Sequence, residues 1–146
     1  MPTQPKANPT EKIKRTPMRL LIALLLQNPE LAKHVPDLSP LQSLNEAGFE
    51  LFVELAATCQ QHVGISMGAL LEHWRDKSEY RTLEILANWD HMVSPENMEK
   101  EFIETLDFLY AKLVEKRIEV LMAKERTTGL ELDAAEKQEL ALLLAR

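Results

Sequence analysis

The sequence predicts an all-α fold: a bundle of five or six helices whose last long helix leads into a C-terminal helical hairpin. Three observations carry this. Apolar residues recur at helical spacing through most of the chain, with no strand-like alternation and no internal repeat. The 146 residues include only four glycines and 5% aromatics, and they are rich in Leu, Ala, Glu and Lys, which favour helix. Start and stop signals then cut the chain into helix-sized pieces: Thr16-Pro17, Asn28-Pro29, Gly64, Ser66, Ser94-Pro95, Gly129 and Asp133.

Each element follows from these signals. Thr16 is a good N-cap and Pro17 suits the first helical position. Met18, Leu20, Leu21, Ile22, Leu24, Leu25 and Leu26 then make the first helix apolar nearly all round, as a central buried helix is. Asn28-Pro29 ends it, and a short helical turn is expected over Pro29–Lys33. Pro36 to Ala47 reads as a loop with one turn of helix after Ser39-Pro40. The second long helix is expected over 48–62, with Phe49, Phe52, Val53, Ala56 and Ala57 inward and Leu51 and Leu55 widening that face. Gly64 stops it. Ser66 caps a third helix to about Arg75, and a fourth runs from about Glu79 to Trp89.

Ser94-Pro95-Glu96-Asn97 opens the long helix, which meets no breaker until Gly129, a span of roughly 50 Å at 1.5 Å per residue. Met98, Phe102, Leu106, Leu109, Leu113 and Val120 form its expected core stripe, flanked by Ile103, Tyr110, Val114, Ile118 and Leu121. Glu96 to Lys100 and Lys100 to Glu104 are expected surface pairs. Beyond Met122 the stripe fades into a polar neck, Lys124–Gly129. Asp133-Ala134-Ala135-Glu136 is a capping-box restart, and the last helix runs from about Ala134 to Arg146. The domain organisation expected is a flexible interdomain linker over 1–15, a helical bundle over 16–122 and a hairpin over 123–146. The linker, with Pro2, Pro5 and Pro9 among Thr, Gln, Asn and Lys, reads as the approach from a longer protein.

Composition narrows the function. With 45% hydrophobic and 27% charged residues, the chain is globular. Net charge is −6, yet residues 1–20 carry a local +4, so the remainder carries −10. An acidic body repels phosphate backbones, and little direct nucleic-acid binding is expected. No stretch of 18 apolar residues exists, so no membrane span is expected. The single Cys59 excludes an intrachain disulfide and fits a reducing, cytoplasmic compartment.

Catalytic chemistry finds no foothold. His34, His62, His73 and His91 lie on different segments without metal-ligand spacing, and there is no Cys-x-x-Cys or His-Glu-x-x-His. Cys59 on an apolar helix reads as packing rather than as a nucleophile, for want of an identifiable base. No glycine-rich loop offers a phosphate cradle. No catalytic residue, metal site or cofactor is expected in this chain.

Two features read as binding surfaces. The first is the leucine cluster Leu140, Leu142, Leu143 and Leu144 before the terminal Arg146. On a helix, Leu140, Leu143 and Leu144 share a face while Leu142 points away, as a residue holding the hairpin together would. These leucines either fold back onto the chain or await a partner. The second is the basic start, Lys12-Ile13-Lys14-Arg15-Thr16-Pro17-Met18-Arg19. Cations beside Met18 and Ile22 suit an acidic peptide with an apolar end; they equally suit a solubilising linker end.

Taken together, residues 16–32 (Thr-Pro-Met-Arg-Leu-Leu-Ile-Ala-Leu-Leu-Leu-Gln-Asn-Pro-Glu-Leu-Ala) resemble the first helix of the bacterial, DnaG-type DNA primase C-terminal domain. So do Leu-Leu-Glu-His-Trp-Arg (70–75), Leu-Glu-Ile-Leu-Ala-Asn-Trp-Asp (83–90) and Glu-Arg-Thr-Thr-Gly-Leu (125–130). The similarity spans residue 16 to about 140 and is strongest to gammaproteobacterial primases. The resemblance implies a non-catalytic domain that binds the replicative DnaB-type helicase and brings primer synthesis to the fork. The zinc- and magnesium-using domains of that family would lie outside this chain. It implies helicase contacts within Leu130 to Arg146, above all Leu130, Leu140, Leu142, Leu143, Leu144 and Arg146. It also implies a pocket for the acidic tail of single-stranded DNA-binding protein at Lys14, Met18, Arg19, Ile22 and Leu86, raising that reading above the linker one. Ile85 departs from relatives that carry a lysine there, which weakens the pocket's charge. The N-terminal domain of the helicase itself is the alternative within this class, and an unrelated helical regulator the alternative outside it.

Overall fold

The computed structural model describes residues 14–128 and 132–145. Residues 1–13 of the linker expected over 1–15, the Gly129 stop, Leu130 and Arg146 lie outside the described residues. Six α-helices follow one another: α1 Pro17–Gln27, α2 Phe49–Gln61, α3 Met67–Glu72, α4 Tyr80–Ala87, α5 Met98–Thr128 and α6 Ala134–Leu144. Short 3-10 helices occupy Pro29–His34, Ser39–Leu44 and Pro95–Asn97. No strand occurs among the described residues, so the all-α expectation holds. By compactness the chain divides inside α5, into Met1–Leu106 and Asp107–Arg146. The sequence reading drew its division by hydrophobic pattern, at 122/123.

In the first unit α1 is the centre. Thr16 accepts a hydrogen bond from the Arg19 N–H at 3.1 Å, and Pro17 follows at the first position, so the helix starts where the sequence placed it. Met18 and every residue from Leu20 to Leu26 are buried, because α2, α3, α4 and the 3-10 helix Pro29–His34 all pack on α1. Phe52 of α2 and Phe102 of α5 meet with ring centroids 6.2 Å apart, within the range of favourable tilted aromatic pairs. The 3-10 helices over Pro29–His34 and Ser39–Leu44 match the two short turns expected from Pro29 and Pro40.

The differences from expectation have physical causes. The buried face of α2 is Phe49, Phe52, Leu55, Ala56 and Cys59, whereas Val53, Ala57 and Leu51 are half-buried. α3 ends at Glu72 and not Arg75. Trp74, Arg75 and Lys77 instead donate to carbonyls three residues back, a tighter winding that places Trp74 in the core. α4 ends at Ala87 and not Trp89, since the Gln27 side-chain amide donates to the carbonyls of Leu86, Ala87 and Trp89. α5 opens through a 3-10 turn, in which the Ser94 carbonyl accepts the Asn97 N–H while the Ser94 hydroxyl accepts from the Asn97 side-chain amide and not from a backbone N–H. Far along α5 the expected stripe residue Val120 is 48% exposed, while Leu121 is fully buried. A heptad stripe drifts by about 20° per repeat on a straight helix, and here α6 decides which face is covered.

Candidate functional site

The hairpin is built on two charged links between helices of the second unit. Asp133 accepts the Glu136 N–H at 2.7 Å, and Glu136 accepts the Asp133 N–H at 3.2 Å, which makes the capping box that starts α6. The same Glu136 carboxylate receives Lys124 Nζ at 2.7 and 2.9 Å. One turn on, Glu139 takes a two-pronged hydrogen bond from Arg117, Nε at 2.7 Å and Nη2 at 2.9 Å. Lys124 holds the Glu136 carboxyl below its usual range, and Arg117 does the same for Glu139; the Arg117 guanidinium is held more firmly protonated in return. The predicted polar neck is thus the first arm of the hairpin and is tied to the second.

Arg117, Leu121 and Lys124 are spaced four and three apart and so share a face of α5. Leu121 is covered between its two charged neighbours, and Leu132 at the foot of α6 is buried as well. On α6, Leu140 and Leu143 lie with Glu136 and Glu139 and are half-buried. Leu142 and Leu144 are 66% and 60% exposed. This corrects two expectations: Leu142 does not hold the hairpin together, and Leu144 does not share the environment of Leu140 and Leu143 although the three were expected on one face. Val120 and Met122 of α5 are also exposed, 48% and 42%. Sequence reasoning did not single out Arg117 or Lys124. Their seven-residue separation, matched by acids three apart at 136 and 139, was the available signal.

The second candidate surface is only partly assembled. Lys14 and Arg19 are exposed and adjacent, with Arg19 Nη1 donating to the Lys14 carbonyl at 2.8 Å. Met18, Ile22 and Leu86 are 2%, 2% and 3% exposed, so they are core residues and not an open floor. The cause is the centrality of α1. The turn at Gly48, with φ +89, passes over Met18 and Ile22; a Cβ there would sit 3.4 Å from Met18 Cγ and 3.5 Å from Ile22 Cδ1. Ile85 beside Leu86 is half-buried.

His91 is buried: Nδ1 accepts the Val93 N–H at 3.1 Å, so Nε2 carries the proton and donates to Gln27 Oε1 at 2.8 Å. Arg15 donates to the His91 carbonyl at 2.7 Å and lies over the Trp89 ring. Burial, and then the Arg15 charge, push the His91 pKa down. Cys59 is buried and its thiol is pushed up to about 11 by that burial, which leaves it without thiolate at neutral pH. His62 and His73 pack ring to ring at 5.2 Å, and His34 pairs with Glu99 at 2.6 Å. Among the described residues no three His, Cys, Asp or Glu side chains gather as metal ligands, and no helix is long and apolar enough to cross a membrane.

The family described as DNA primase DnaG DnaB-binding matches residues 18–143. The chain belongs to that DnaB-binding family of DnaG primases. The match reaches into all six helices and omits only Pro17 of α1 and Leu144 of α6 among them. The DNA primase of Pasteurella multocida is 51% identical over 136 residues, which is 93% of this chain and 23% of that protein. The DNA primase of Haemophilus influenzae is 47% identical over 120 residues, 82% of this chain and 20% of that protein. That of Escherichia coli K12 is 44% identical over 124 residues, 85% and 21%. The chain therefore spans under a quarter of the length of these relatives. The solved structure of the DnaG primase C-terminal domain from Vibrio cholerae superposes with a TM-score of 0.69 at 45% identity, over 90% of this chain and 94% of that one. Membership in the primase family displaces the alternatives of a helicase N-terminal domain and of an unrelated regulator.

Proposed function

We propose that this chain is the non-catalytic part of a bacterial DNA primase that docks onto a DnaB-type helicase and holds primer synthesis at the cytoplasmic replication fork. The observation that carries the reading is the pair Leu142 and Leu144, apolar and largely exposed on a helix anchored by two charged links, in a family named for DnaB binding. Exposed leucines on an ordered scaffold lose little further entropy when a partner covers them. Leu130, Leu140, Leu143 and Arg146 complete the proposed contact, with the inner pair Leu140 and Leu143 acting through the shape of the hairpin. Replacing Leu142 and Leu144 together by Asp is expected to weaken helicase binding by at least about tenfold, the loss of one good apolar anchor. Undiminished binding in a calorimetric titration, with α6 still helical, would sink the assignment.

We further propose that Lys14 and Arg19 receive the acidic tail of single-stranded DNA-binding protein. Two adjacent exposed cations support it. Met18 and Ile22 take part only if the Gly48 turn shifts to uncover them, and Leu86 only if it leaves the core. Arg19→Ala is expected to weaken tail-peptide binding, more so at low salt, where the charge interaction is less screened. A titration that Arg19→Ala and Lys14→Ala both leave unchanged would remove this surface from the reading.

A further inference from the structure

The apolar pattern of α6 does not choose which side of the helix faces α5. At about 100° per residue, Leu140, Leu142, Leu143 and Leu144 point about 40°, 240°, 340° and 80° round from Glu136, so leucines cover most of the circumference. Turning α6 about its axis would bring Leu140 with Leu144, or Leu142 with Leu143, inward in place of Leu140 with Leu143 at similar hydrophobic gain, since that gain is non-directional. The charged links are directional. Glu136 and Glu139 sit on one edge of α6, and each is held by two hydrogen bonds from the single face of α5 that carries Arg117 and Lys124.

We propose that Arg117 and Lys124 are positioning residues that set the rotation of α6, so that Leu140 and Leu143 face α5 while Leu142 and Leu144 stay exposed on its two flanks for the helicase. The inference rests on the helicase reading only for the identity of the partner; the rotation itself is a property of this chain. Isolated surface ion pairs contribute little. Here two act together: Glu136 feels Arg117 as well as Lys124, and the Arg117–Glu139 pair has the two-pronged geometry that constrains direction. Both cations stand on α5, so their replacement leaves the Asp133–Glu136 capping box, and the start of α6, in place.

The test is thiol labelling in a Cys59→Ser background, with single cysteines placed as Leu142→Cys or Leu143→Cys. With Arg117 and Lys124 intact, position 142 reacts faster than 143. Reversing both cations, Arg117→Glu with Lys124→Glu, is expected to bring the ratio of the two rates to one or below. An unchanged ratio overturns the proposal. Exchanging the charges of one link, Arg117→Glu with Glu139→Arg, is expected to restore the original ratio. Failure of that exchange to restore it, with α6 helical by circular dichroism, also overturns it and covers the case in which the reversed variant simply loses the hairpin. Helicase affinity is measured alongside, with a drop of about tenfold expected on reversal and recovery on exchange. If the labelling ratio moves while helicase affinity does not, the rotation inference stands and the helicase reading fails, so the two are separable.

Discussion

Gln27 and His91 are where single side chains decide most. Gln27 uses its amide to close the end of α4 and its carbonyl oxygen to hold the buried His91 ring. Gln27→Ala leaves an imidazole N–H and several carbonyls without that partner, and is expected to cost about 1–3 kcal/mol in a urea denaturation series. Because burial holds the folded His91 below the ordinary value of 6.5, the unfolded chain takes up the proton first on acidification. This contribution to stability is complete above pH 6.5 and falls as pH drops from there toward the folded pKa. The part of that slope due to His91 should vanish in His91→Gln, as read from unfolding midpoints at several pH values. Met92, next in the chain, has φ +68 and is 83% exposed. A left-handed conformation is strained for a side chain with a Cβ, so Met92→Gly is expected to raise stability by about 0.5–1 kcal/mol. The sequence showed a histidine between Asp90 and Met92. It did not show Gln27 reaching it from 64 positions away.

At the scale of elements, caps were legible and faces less so. Thr16, Ser66 and Asp133 each accept the backbone N–H that an N-cap should, since that chemistry is local. Asp133→Ala removes one half of the capping box and is expected to cost α6 about 1 kcal/mol, detectable as faster hydrogen exchange in residues 134–138. Faces depend on neighbours. Leu121 rather than Val120 is buried, and Leu143 rather than Leu142 turns inward, because α6 and α5 select each other through Arg117, Lys124, Glu136 and Glu139. Lowering the pH through the depressed carboxyl pKa values of Glu136 and Glu139 removes those links. The docking of α6 should therefore weaken below pH about 4.5, the ordinary value for these groups, and not above it, as read by the accessibility of position 143.

Over the whole molecule, α5 supplies residues to both compact units while α1 organises the first. The first unit carries its own core, including Phe52, Phe102 and the buried run of α1. Deleting residues 130–146 is therefore expected to abolish helicase binding while a cooperative thermal melt of the remaining chain persists. Loss of that melt would show that the bundle draws on the hairpin for stability. The same centrality of α1 explains why the proposed tail surface is only partly exposed. Lys14 and Arg19 are on the surface as a basic stretch should be, but a helix apolar nearly all round and packed on several sides leaves Met18 and Ile22 buried.

The sequence by itself determined the helical class, the order of the six helices, the caps at Thr16, Ser66 and Asp133 and the family, because periodicity, capping and motif order are written in residues near one another. The tertiary structure alone decided which leucines of α6 face outward and that Met18, Ile22 and Leu86 are core. Those outcomes turn on groups distant in sequence, Arg117 with Glu139, Lys124 with Glu136 and the Gly48 turn over α1. A burial preference says that a leucine leaves water; only a directional contact says which one.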